Sequence, residues 1–281
     1  MSIQATDLNY DYTECGNIDE LVNKDNIIIL NCYNINLESL PNIINFSNLK
    51  EFDCSKNNLL KLPEYMNLPN LEILNCSDNR LINLPDNMNL PSLKELDCSS
   101  NKLRKLSDNM NMPILEILNC GNNNLLNLPE NMKFPRLKEF YCSDNRLINF
   151  PDNMYLPNLE EFYCRNNILI SLPNNMLFPN LKVFYCSNNN LTRLPENMFL
   201  PEIKEFYCSW NNLKSVQENM NLPKLNTLNC DYNSLTYFQE NMNLPNLEFF
   251  SCKGNRLTKL PKWLINCPKL SRIIFDNNDI I

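Results

Sequence analysis

Residues 93–114 read LKELDCSSNKLRKLSDNMNMPI, and residues 115–136 read LEILNCGNNNLLNLPENMKFPR. The two stretches agree at the leucines, the cysteine, the asparagine and the Asn-Met pair near the end, so positions 22 residues apart do the same job. A fixed period between 20 and 50 residues means one small unit copied along the chain, and it governs every other reading of the sequence. The common pattern is L-x-x-[LF]-x-C-x-x-N-x-L-x-x-L-P-x-x-M-x-[LF]-P-x. It starts near Ile27 and recurs at Leu49, Leu71, Leu93, Leu115, Leu137, Leu159, Leu181, Ile203, Leu225 and Leu247. A twelfth unit at Leu270 is one residue longer upstream and carries Phe275 in place of the cysteine.

The short L-x-[LF]-x-C segment alternates faces as a strand does, which sends Leu96 and Cys98 inward and Glu95, Asp97 and Ser99 outward. No single unit can bury its own Leu, Cys and following Leu103, whereas stacked neighbours share a continuous core. Leu106, Met110 and Met112 are expected to close that core from the return side. Proline recurs after the second leucine (Pro63, Pro85, Pro129, Pro151, Pro173, Pro195) and at the unit's end (Pro69 to Pro245 in steps of 22). Having no N–H and a fixed φ, proline keeps the return segment out of a long helix. The pattern resembles the leucine-rich-repeat family over roughly residues 27–281. It predicts an α/β-type solenoid: an arc with a parallel β-sheet on its concave face, short 3-10 or irregular convex segments, and about twelve repeats. The Asn-rich, Cys-bearing version also resembles the leucine-rich-repeat proteins of giant amoebal viruses such as mimivirus, which implies a viral protein acting on host proteins in the host cytoplasm.

The ends and a few interior departures carry their own expectations. Residues 1–26 are read as an N-terminal cap, and the last repeat, from about residue 258 with Trp263 and Leu264, as the C-terminal cap. The Leu-Pro pair gives way to Leu106-Ser107, Val216-Gln217 and Phe238-Gln239, which predicts a more helical return side there. Ile35 stands where later units have asparagine, as suits a first unit with no earlier turn to bond.

A net charge of −7 and a pI near 4.9 argue against nucleic acid or an anionic membrane as partner, since both attract cationic surfaces. The first 24 residues hold no apolar run and no basic segment, and no stretch reaches membrane-spanning length, so the reading is a cytoplasmic protein. Of 13 cysteines, eleven (Cys32 to Cys252) fall at one repeat position, and only Cys15 and Cys267 stand outside the series. Equivalent Cβ atoms on stacked strands lie about 4.8 Å apart, too far for a disulfide, which wants about 3.8 Å. A single file of thiols cannot converge on a metal either. Each is read as a small buried hydrophobe, which suits a reducing compartment. The asparagine ladder from Asn57 to Asn278 is read as a structural device that satisfies backbone groups of the turns.

Outward strand positions are the ones the fold leaves free, and there a possible site emerges. The position before each cysteine is Tyr in four consecutive units: Tyr141, Tyr163, Tyr185 and Tyr207. Arg165, Trp210 and Tyr232 follow two or three places further on, and Glu139, Glu161 and Glu205 precede the row by two. Tyr, Trp and Arg dominate binding hot spots, and an exposed aromatic patch usually marks a contact surface. The alternative is ordinary sheet surface, because tyrosine suits strands and stacks across them. With no histidine in the chain, no Gly-rich phosphate loop and no metal-ligand cluster, the protein reads as non-enzymatic and cofactor-free. Asp53 and Asp97 face solvent without a cleft, and Cys15 or Cys267 would lack a base to activate it. The expected function is a protein-protein interaction scaffold that binds its partner on the concave face. The alternatives are a structural or self-associating protein, monomer or dimer through the C-terminal edge at Ile280 and Ile281, and a ubiquitin-ligase or signalling adaptor.

Overall fold

From the second repeat on, each gives only three residues to its strand, as in Glu161-Phe162-Tyr163, with the middle residue buried and its neighbours half-buried. So short a strand is held by its neighbours on both sides rather than by its own length. The computed structural model describes residues 8–11 and 26–280, apart from 131, 153, 175, 196–197 and 217–221. Its contacts divide the chain into two units, residues 1–137 and 138–281.

The first unit is a parallel sheet of β1 (Leu8–Asp11), β2 (Ile27–Asn31), β4 (Glu51–Asp53), β6 (Ile73–Asn75), β7 (Glu95–Asp97) and β8 (Ile117–Asn119). On the return side β3 (Ile43–Asn45) and β5 (Tyr65–Asn67) form a second, two-stranded sheet. The second unit is a parallel sheet of β9 (Glu139–Tyr141), β10 (Glu161–Tyr163), β11 (Val183–Tyr185), β12 (Glu205–Tyr207), β13 (Thr227–Asn229), β14 (Phe249–Ser251) and β15 (Arg272–Ile274). Both are solenoids with almost no helix; Lys262–Asn266 forms a short 3-10 segment. Pairing is in register, so like faces like: Phe162 lies opposite Phe184, and Tyr163 opposite Tyr185.

Register makes ladders of every repeat position. In the second unit Phe140, Phe162, Phe184 and Phe206 are fully buried and stack at 5.3, 5.4 and 5.5 Å between ring centres. Leucine fills the equivalent place at Leu74, Leu96 and Leu118. Leu106 and Met112 close the core as expected, with Met110 half-buried. The twelve cysteines described are buried and form no disulfide with one another; Cys15 lies outside the described residues.

The asparagine ladder stitches one turn to the next. Asn57 Nδ2 donates to the carbonyls of Cys32, Cys54 and Ser55 at 2.7, 3.0 and 3.0 Å, while its Oδ1 accepts from the amides of Ile35 and Leu37. An amide with both ends occupied can be buried at little cost. Between each cysteine and asparagine the chain turns through the left-handed region, with φ between 49° and 57° at Lys56, Asp78, Ser100, Asn122, Asp144, Asn166, Asn188, Trp210 and Tyr232, and 65° at Gly254.

Two expectations need correction. The return side is not helical at Leu106-Ser107 or Phe238-Gln239. Ser107 holds the turn itself: its Oγ donates to the Asp86 carbonyl at 2.6 Å and accepts from the Asn109 amide, replacing the constraint proline gives elsewhere. Gln217 lies outside the described residues, as does most of the cap expected over residues 1–26; within it, β1 pairs parallel with β2. Near the last strand Trp263 is buried edge-on against Phe238 and Phe250, whereas Ile273, Phe275 and Ile280 are exposed. Ile281 is outside the described residues.

Candidate functional site on the sheet face

Strands β9 to β12 carry the sequence E-F-Y, V-F-Y or E-F-Y on one rung after another, so the alternation that buries the phenylalanines turns the tyrosines outward. Tyr141, Tyr163, Tyr185 and Tyr207 form one continuous stack, with ring centres 4.8, 5.0 and 4.1 Å apart and planes 14° to 16° from parallel. Offset stacking of this kind adds about 0.5–1.5 kcal/mol per pair beyond area burial. The rings therefore cover each other's faces. The row is half-buried rather than fully exposed, and what it offers solvent is a line of ring edges and hydroxyls.

Those hydroxyls are fixed. Tyr141 donates to Glu139 at 2.7 Å, Tyr163 to Glu161 at 3.0 Å and Tyr207 to Glu205 at 3.1 Å. Val183 takes the carboxylate's place on β11, so Tyr185 has no glutamate two residues before it. Burial, then the bonded Glu139 carboxylate, push the Tyr141 hydroxyl above its ordinary range; burial and Glu161 do the same to Tyr163. For Tyr207 burial comes first and its neighbour Tyr185 second. The three bonded phenols in turn orient the carboxylates of Glu139, Glu161 and Glu205.

Arg165 stands exposed on the same face, two residues beyond Tyr163. Trp210 and Tyr232 are not part of the row. They occupy the left-handed turn position of consecutive repeats, at φ 53° and 49°, and stack on each other at 4.1 Å and 21°. A bulky side chain in that region costs about 1–2 kcal/mol that Asn, Asp or Gly largely avoids. Tyr232 in turn lies over Gly254, where a Cβ would come within 2.6 Å of its ring. The sequence places Trp210 and Tyr232 in the site but hides this strain. The signal was Gly254 at the same repeat position, since a lone glycine in an Asn- and Asp-rich column marks a left-handed turn. A second feature was missed: Tyr155, Leu177 and Phe199 are exposed on the return side, at the repeat position where Asn45, Asn67, Asn89 and Asn111 stand in the first unit.

In the first unit the same sheet face is built differently. The position of the tyrosines holds Asn31, Asp53, Asn75, Asp97 and Asn119, so the two carboxylates are never on adjacent rungs. Asp53 accepts from the amide and hydroxyl of Ser55, and Asp97 from those of Ser99, each closing a local turn rather than facing a cleft. Among the described residues no three metal-ligating side chains cluster, and no helix is long and apolar enough to cross a membrane.

A scan of protein-family models and a search of curated proteins find no match. Solved structures do match. A leucine-rich-repeat protein of Leptospira interrogans aligns at 24% identity and a TM-score of 0.69, over 90% of this chain and 73% of its own. YopM, a leucine-rich effector protein from Yersinia pestis, aligns at 31% identity and 0.64, over 88% of this chain and 70% of its own. The functional domain of InlJ from Listeria monocytogenes, which includes a cysteine ladder, aligns at 24% and 0.55, over 92% of this chain and 64% of its own.

Proposed function

Because this chain belongs to the leucine-rich-repeat proteins, we propose that it is a non-catalytic scaffold whose concave sheet face, over β9 to β12, seats a protein partner on the tyrosine row. The observation that carries this is the row itself. The same repeat position holds Asn, Asp, Ser or, in the last unit, Ile, so the fold does not demand tyrosine there. Four tyrosines in succession, all stacked and three of them bonded to glutamate, make a surface whose side-chain entropy is largely spent before a partner arrives. Tyr141, Tyr163, Tyr185 and Tyr207 supply apolar edges and hydroxyls, Arg165 a charge, and Trp210 and Tyr232 a rim. Interaction surfaces of this kind suit the family: solved complexes with leucine-rich-repeat members include FLRT2 with Latrophilin 3 and Unc5D.

A reducing compartment such as the cytoplasm fits a ladder of buried thiols that form no disulfides with one another. The finer reading, a viral protein acting on a host protein, rests on the resemblance of the Asn-rich, Cys-bearing repeats to those of giant amoebal viruses. One pull-down tests both levels. Wild type and a Tyr→Ser variant at positions 141, 163, 185 and 207 are presented to amoebal cytosol and captured proteins identified by mass spectrometry. A protein retained by wild type and lost, at least tenfold, from the folded variant is the expected outcome. Equal capture by both would sink the tyrosine row as a site.

A further inference from the structure

The turn column beside the tyrosine row divides into two halves that lean apart. Upstream, Asn188 Nδ2 donates to Asn166 Oδ1 and Asn166 Nδ2 to Asp144 Oδ1, both at 2.7 Å, so the amide row is directed back along the sheet. Downstream, Trp210 lies on Tyr232 and Tyr232 lies over Gly254. The column changes from amides to rings between Asn188 and Trp210. Trp210 is stacked on Tyr232 and is nevertheless 58% exposed. Nothing in the fold requires this. The other turns described place Asn, Asp, Ser, Lys or Gly at the same position, and only these two hold a bulky ring at positive φ. A strained conformation kept where an unstrained residue would serve points to a role outside folding.

We infer that the open face of Trp210 receives a guanidinium or ammonium side chain from an extended basic segment of the partner. The inference rests on the sheet face being a protein-binding surface and adds the chemistry of what binds. Indole is the strongest of the aromatic faces for a cation. The structure already places cations over rings elsewhere: Lys253 Nζ sits 5.9 Å from the centre of the Tyr232 ring, Lys56 Nζ 5.2 Å from that of Tyr33, and the Arg272 guanidinium 5.5 Å from that of Phe249. Carboxylates and cations alternate on these rungs: Glu139, Glu160, Glu161, Glu205 and Asp231 stand with Lys138, Arg165, Lys182, Lys204 and Lys253, of which Lys182 is held by Glu160 and Lys253 lies over Tyr232. Glu139, Glu161 and Glu205 each accept one phenol hydrogen and keep acceptor capacity for an arriving donor. A basic segment crossing the row would meet carboxylates along it and the indole at its rim.

The chain contains two tryptophans, Trp210 and Trp263, and the second is only 2% exposed, so acrylamide quenching reports on Trp210. The full chain is titrated with a ten-residue peptide alternating arginine and serine, and separately with its glutamate-serine counterpart. Saturable protection of the quenchable emission by the arginine peptide alone is expected. Calorimetry should show its affinity falling at least tenfold in Trp210→Asn and largely kept in Trp210→Phe. The Tm of Trp210→Asn should equal or exceed that of wild type, because asparagine is at home in the left-handed turn. The inference is overturned by no saturable response, by equal responses to both peptides, or by unchanged affinity in Trp210→Asn. Failure of these while the four-tyrosine variant still loses its partner would remove this inference and leave the broader reading standing. Success here with unchanged capture by the tyrosine variant would do the reverse.

Discussion

Asn167 shows how much one side chain can hold. Its Nδ2 donates to the carbonyls of Cys142, Cys164 and Arg165, and its Oδ1 accepts from the Leu147 amide at 2.9 Å. Removing the amide would leave a buried N–H and buried carbonyls without this partner, each worth about 1–3 kcal/mol. Asn167→Ala is therefore expected to lower stability by roughly 2–4 kcal/mol, read as a fall in urea midpoint without a change in slope. Asn212→Ala, at an exposed position one residue past the ladder's Asn211, should stay within about 0.5 kcal/mol. The ladder was legible beforehand because an inward asparagine in every repeat has nowhere to bond but the turns. Trp210 and Tyr232 were legible as residues and not as conformations: hydrophobic periodicity reports which face a side chain takes, not the sign of φ. Their neighbours Asn188 and Gly254 carried that information.

At the scale of the element, three-residue strands and prolines were readable from spacing, whereas the substitutes for proline were not. Ser107 was expected to let a helix form and instead bonds across to Asp86. A hydroxyl can close a turn as well as loosen one, and composition does not say which. The 3-10 segment Lys262–Asn266 offers a sharper test. Trp263 packs edge-on against Phe250 at 5.4 Å and Phe238 at 6.0 Å, yet its buried Nε1 has no hydrogen-bond acceptor among the described residues. Trp263→Ala should cost about 3–5 kcal/mol through the cavity it leaves. Trp263→Phe should cost far less than that, because it keeps an aromatic and removes an unsatisfied donor. Thermal unfolding of the two variants side by side checks the order; a phenylalanine variant as unstable as the alanine one would contradict it.

For the molecule as a whole, the thiol ladder couples folding to alkali. Burial raises Cys120, Cys208 and Cys252 to about 12 from an ordinary 9.0, and drives Cys54, Cys76, Cys98, Cys186 and Cys230 well above it. A group whose pKa is higher when folded contributes its full stability below the unfolded value and loses it as pH rises towards the folded one. Between about 9 and 12, then, only the unfolded chain releases these protons. Each such thiol removes about 1.4 kcal/mol per pH unit, and a few suffice against a total of about 5–15 kcal/mol. With no histidine to titrate, the urea midpoint should be nearly flat from pH 6 to 8 and fall steeply above 9. Replacing three ladder cysteines by alanine should make that fall shallower. In-register pairing has another consequence. Tyr163 faces Tyr185 as it faces Tyr141, and a strand moved along by one whole repeat would meet the same partners. Within each unit the structure is close to invariant under translation by 22 residues, as a crystal is under its lattice vector. Recombination between repeats of the gene can then add or remove whole rungs without disturbing the packing of those that remain. A binding surface made of consecutive tyrosines could lengthen or shorten by the same event.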